Sequence, residues 1–187
     1  MDRRVQELLA AGDRRGAATE ALTRIGPDVL RYLRAILRDE EDAADAFSDF
    51  AEKLWGAIGS FQGRSSVKTW ALRIASNAAF NLRHDAFRRR RRRLATSEAS
   101  ALAAEIRSSS LARDERHRRA LDELRRTLTP AEQSLLALRI DQSLSWEETA
   151  EILSEIGPRV SAGALMKRFE RLKARLGRAA RQRGLIE

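Results

Sequence analysis

The stretch Asp39–Arg93 decides how this chain reads. It opens with DEEDAADAFSDFAE (39–52), seven acids and no base, and from Ala57 it continues AIGSFQGRSSVKTWALRIASNAAFNLRHDAFRRRRRR. Between Ser60 and Arg93 there are ten Lys/Arg and one acid. An acidic segment followed by a basic, aromatic-bearing one suggests a chain that docks on a protein and presents itself to nucleic acid.

The acidic half has helical spacing. Ala43, Phe47, Phe50 and Leu54 recur at i, i+4, i+7 and i+11, one face; Asp42, Asp45, Asp49 and Glu52 form a separate face. Like charges at this spacing repel by a few tenths of a kcal/mol per pair. Such a stripe is either a solvated face or a surface that meets a basic partner. Glycines and serines then break the helix over Gly56–Ser66. A second helix follows, with Val67, Trp70, Ala71, Ile74, Ala75, Ala78 and Leu82 as its apolar face, and Arg73, Asn77 and His84 beside it. A loop bearing hydroxyls, a ring and an Arg, followed by a helix with Asn and Arg, suits single-stranded DNA. Rings stack on bases, amides read base edges and cations hold phosphates. Core packing is the preferred reading for Trp55 and Trp70; for Phe61, packing and stacking on a base both stay open. The six arginines of 88–93 suit a phosphate clamp whose hold weakens with salt.

This stretch resembles conserved region 2 of the sigma-70 family. The resemblance rests on Asp42-Ala43-x-Asp45, Trp55, Phe61-x-Gly63-Arg64-Ser65-Ser66, Trp70, Ile74-Ala75-x-Asn77 and the Arg run. The nearest pattern is that of the short extracytoplasmic-function (group 4) sigma factors of bacterial RNA polymerase. The resemblance implies that Asp42, Asp45 and Asp49 meet the clamp helices of the polymerase β′ subunit. It also implies that Phe61, Arg64, Ser65, Ser66, Lys68, Arg73, Asn77 and Asn81 capture bases flipped from the non-template strand of the −10 element. The family often carries Gln where Ser48 stands and Asp where Asn81 stands.

The rest of the chain fits. Residues 3–38 read as helical, with Pro27 suited to the first turn of a new helix. Residues 94–117 carry five serines and few large apolar groups and read as a linker. From Arg118 onward a helical module follows. Thr129-Pro130-x-Glu132 and Ser145-x-x-Glu148 are capping boxes, Gly157-Pro158 is a break, and Ser161 caps a last long helix. That helix carries Leu165, Phe169, Leu172 and Leu176 inside, and Ala164, Arg168, Arg171, Arg175 and Arg178 outside. Two helices joined by a turn, the second basic on its outer face, form a helix-turn-helix pattern; a soluble helical hairpin is the plainer alternative. This module resembles sigma region 4, which reads the −35 duplex and sits on the β flap. The resemblance implies DNA contacts from Ser161, Ala164, Lys167, Arg168, Arg171 and Arg175. The turn between Leu153 and Val160 is longer than the family's usual one.

Composition narrows the classes. The chain has 187 residues, a net charge of +9 and no cysteine. There is no disulfide framework, thiol nucleophile or Cys-type zinc site. Two isolated histidines, His84 and His117, make a poor metal site. No apolar run approaches a membrane span and no secretory signal opens the chain, so a cytoplasmic protein is expected. The expectation is an all-α fold of two helical domains: 3–93 for polymerase docking and the −10 element, 94–117 as a flexible linker, and 118–183 for the −35 element. The function expected is that of an alternative sigma factor, without catalysis, cofactor or metal. Its expected partners are core RNA polymerase, promoter DNA and an anti-sigma factor such as commonly controls the family. The rival is a stand-alone helix-turn-helix regulator.

Overall fold

The computed structural model describes residues 2–84, 102, 106 and 127–182. The described residues form helices and connecting turns, with no strand among them. The helices are α1 (Asp2–Ala10), α2 (Arg14–Leu37), α3 (Glu40–Ala57), α4 (Val67–His84), α5 (Pro130–Leu136), α6 (Trp146–Glu155) and α7 (Ala162–Gln182). The chain divides into two compact units, Met1–Leu111 and Ala112–Glu187.

In the first unit α2 is the central helix, packed by α1, α3 and α4. Pro27 does not open a helix, as the sequence suggests; it lies inside α2. Apolar residues on both sides of it, Ala18, Ala21, Leu22 and Ile25 before and Val29, Leu30, Leu33 and Ile36 after, are all buried. Burial of that many side chains, about 1.5–3 kcal/mol for each large one, outweighs the roughly 3 kcal/mol cost of an interior proline. Gly26 makes the crossing close. A Cβ on it would stand 2.6 Å from Ile106 Cδ1 and 3.4 Å from Phe47 Cζ. Ile106 is buried here although it falls in the segment read as a linker.

The start of α3 is capped by Asp39, whose Oδ1 accepts from the Asp42 N–H at 2.8 Å. Its end differs. The helix runs through Gly56 to Ala57 and tightens into a 3-10 turn over Ile58–Ser60, so the break begins at Phe61. On α4 Val67, Ala71, Ala75 and Ala78 are buried as expected, but the buried face extends to one side of the expected one. Leu72, Ser76 and Ala79 are buried, and Trp70, Ile74 and Leu82 are only half-buried. The cause is packing against both α2 and α3, with the Tyr32 hydroxyl and Ser76 Oγ 2.8 Å apart in the core. The Arg83 guanidinium donates to the Ile36 carbonyl at the negative end of α2. Burial of this group lowers its pKa, while Tyr32 and Asp42 oppose the shift and Arg38 adds to it.

The second unit is small. Leu135, Ala150, Leu165 and Phe169 form its core, with Leu136, Trp146, Leu153 and Val160 packed around them. Both predicted capping boxes are present. After α5 the backbone widens into a π turn over Ala137–Asp141, which the sequence does not announce. Ser143, two residues past the turn, has φ +55°, and the Arg139 guanidinium lies 4.2 Å above the Trp146 ring.

Candidate nucleic-acid and polymerase interfaces

The loop between the 3-10 turn and α4 brings several predicted residues together. The Phe61 and Trp70 rings pack at 5.3 Å between centroids, tilted by 49°, and both stay half-buried. A base can therefore reach the exposed part of either ring. Arg73, Asn77 and Asn81 follow Trp70 on α4 at spacings of three, four and four, which places them along one side of the helix. Asn81 is exposed, whereas Arg73 and Asn77 are half-buried. Arg64 is exposed in the loop.

Other predicted residues serve the fold. Ser66 caps α4: its hydroxyl accepts from the Thr69 N–H at 2.9 Å and lies 2.7 Å from Thr69 Oγ1. Ser65 Oγ donates to the Ser66 carbonyl across a long 3.4 Å. Lys68 Nζ lies 3.6 Å from Asp28 on α2. Along α3, Asp45 is exposed, Asp42 is half-buried in the first turn and Asp49 is bonded to Lys53 at 2.7 Å. That ion pair reduces the repulsion expected of an acidic stripe. The Arg88–Arg93 run lies outside the described residues.

In the second unit Ser161 caps α7, accepting from the Ala164 N–H at 3.2 Å. Leu165, Phe169 and Leu172 are buried below it. Ala164 is half-buried, while Lys167, Arg168 and Arg171 are exposed on the outer side. Arg171 Nε donates to the Lys167 carbonyl at 3.2 Å. Arg175 points elsewhere: its guanidinium donates to Glu132 Oε2 at 2.8 Å, tying α7 to the capping box of α5. That bond is the main reason the Glu132 carboxyl titrates below its ordinary value; Thr129 assists and burial opposes. The longer turn before α7 is closed by Ser154, whose hydroxyl accepts from the Val160 N–H at 3.0 Å and donates to the Val160 carbonyl at 3.3 Å.

Residues 22–93 match the family model described as Sigma-70 region 2. That span holds most of α2, all of α3 and α4, and the loop carrying Phe61 and Arg64. Residues 22–93 are similar to sigma-70 region 2. No curated protein and no solved structure matches the chain. The region 2 match supports a sigma-70 family member that acts in transcription initiation. Sigma-70 factors, to which this span is similar, are non-enzymatic initiation subunits that engage core RNA polymerase and promoter DNA. No helix among the described residues is long and apolar enough to cross a membrane.

Three residues that the sequence does not single out also touch the region 2 loop: Asp2, Gln6 and Arg14. No local pattern announces them, because Asp2 meets its partner 65 positions away.

Proposed function

We propose that the chain is an alternative sigma factor of the extracytoplasmic-function (group 4) type, working in the cytoplasm. The observation that carries this reading is the region 2 match on a helical unit joined, in one chain, to a second unit with an exposed row of cations on its last helix. In this reading residues 3–93 bind core polymerase and the −10 element, 94–117 link, and 118–183 read the −35 duplex. Asp42, Asp45 and Asp49 face the β′ clamp helices, with Asp45 the most accessible. The second unit also sits on the β flap, and an anti-sigma factor holds the protein until it is needed.

Opening proceeds by differential binding. Contacts from Lys167, Arg168 and Arg171 hold the duplex. Bases leaving the −10 stack then find the Phe61–Trp70 rings, with Arg64, Arg73, Asn77 and Asn81 beside them. Unstacking costs a few kcal/mol, and stacking on protein rings returns about 1–3 kcal/mol per base. Ser66 and Lys68 contribute by shaping the loop exit, through the α4 cap and the Asp28 pair.

The test is co-purification of the tagged protein with bacterial core RNA polymerase, followed by run-off transcription from genomic fragments. Stoichiometric association with new promoter-specific transcripts is the expected result. Tight duplex binding by the protein alone, without association with core, would establish the stand-alone regulator instead.

A further inference from the structure

The loop that bears Phe61 and Arg64 is held in place from outside the region 2 segment. Three contacts do this, and all come from residues that precede Leu22, where the family match begins. At the start of the loop the Arg14 guanidinium lies against Gly59, where a Cβ would stand 3.0 Å from Nε. At its bend Gly63 has φ +68°, and a Cβ there would stand 2.8 Å from Gln6 Nε2. At its exit Asp2 Oδ1 accepts from the Val67 N–H at 3.1 Å, satisfying the first donor of α4. Val5, on the same helix as Asp2 and Gln6, is fully buried and anchors α1 to the unit.

These contacts span the loop from end to end. The Asp2 carboxylate sits at the positive end of α4, the helix that carries Arg73, Asn77 and Asn81. The Gln6 amide, the exposed end of a flexible side chain, lies beside Gly63. A segment bonded at its exit and flanked by side chains at its entry and bend has already given up part of the freedom that binding a flexible strand would otherwise remove. We infer that α1 is a brace that presets the 59–67 loop for strand capture, with Asp2 as its positioning residue. The inference rests on the reading of this loop as the −10 strand site.

The experiment uses holoenzyme reconstituted from bacterial core polymerase and the full chain, on a promoter recovered by run-off transcription. A fluorescent adenine analogue in the −10 non-template strand reports opening. Asp2→Ala is expected to slow opening by about five- to tenfold, the effect of losing a helix cap, with core affinity unchanged. Asp2→Asn restores most of the rate, because its amide oxygen still accepts from Val67. Gly63→Ala slows opening as well. Wild-type rates in both Asp2→Ala and Gly63→Ala would overturn the brace. So would equal defects in Asp2→Ala and Asp2→Asn accompanied by weakened core affinity, which mark a general folding role.

Amide hydrogen exchange of the free protein separates this inference from the reading beneath it. Asp2→Ala should speed exchange across 59–67 by about tenfold, and unchanged exchange overturns the brace whatever the DNA does. If wild-type holoenzyme opens no promoter, the sigma reading fails, and the exchange result still decides whether α1 orders the loop.

Discussion

The loop entering α4 and the outer side of α7 draw on similar residues, cations with hydroxyls, yet the fold uses them in opposite ways. Around the loop several side chains are engaged within the fold: Ser66 caps its helix, Lys68 pairs with Asp28, and Phe61 leans on Trp70. On α7 the cations at 167, 168 and 171 stand exposed. The difference matches what each surface would grip in the proposed function. A strand of flipped bases needs a shaped, rigid platform, so polar groups are used for shape. A duplex backbone needs accessible charge, so the cations are left in water until they replace counterions.

The contrast can be broken most severely on α7. Reversing Lys167, Arg168 and Arg171 to Glu should weaken −35 duplex binding on the order of a hundredfold and flatten its salt slope, by about 0.9 for each phosphate that is no longer neutralised. Filter binding across a salt series measures both, and an unaltered slope would make this face merely solvated. In the loop, Phe61→Ala with Asn77→Ala should reduce promoter opening about ten- to hundredfold, on the scale of one missing base stack, and leave closed-complex binding nearly intact. Equal defects in both steps would contradict a platform for melted strand.

Two smaller effects sharpen the comparison. Ser66→Ala should cost about 1 kcal/mol of stability in the first unit, seen as a Tm lowered by roughly 4–8 °C. A normal Tm with impaired strand capture would assign the hydroxyl to DNA instead of the cap. Arg175→Ala should cost less than about 1 kcal/mol, as an exposed pair does, and leave the salt slope of duplex binding unchanged. Because Arg175 depresses the Glu132 pKa, the pair's contribution is complete above the carboxyl's unfolded value of 4.5 and fades as pH falls through its lowered folded value. Thermal melts of wild type and variant should therefore differ at neutral pH and converge in acid; a salt slope reduced by about one would return Arg175 to the DNA surface.

Much of the fold was legible along the chain. Thr129, Ser145 and Ser161 all cap the helices their spacing announced. The buried face of α7 was readable from Leu165, Phe169 and Leu172. Pro27 and the full extent of α4's buried face were not. A proline is tolerated mid-helix only where neighbouring helices bury both flanks, and the buried face of α4 is extended by a buried Tyr32–Ser76 contact across 44 positions. Among the candidate site residues, the residue types were legible but not their engagement. Nothing near Lys68 or Arg175 in the chain tells that Asp28 and Glu132 will meet them.

The amino-acid order alone was enough for helix limits, caps, amphipathic faces and the partition of acidic and basic stretches. These depend on hydrogen bonds and side-chain neighbours that close within a turn or two. Which cations stay open, which hydroxyls are consumed and what braces the 59–67 loop were decided by packing. The Asp2–Val67 and Arg175–Glu132 bonds join residues 65 and 43 positions apart, and only the register of one helix against another brings such partners within reach.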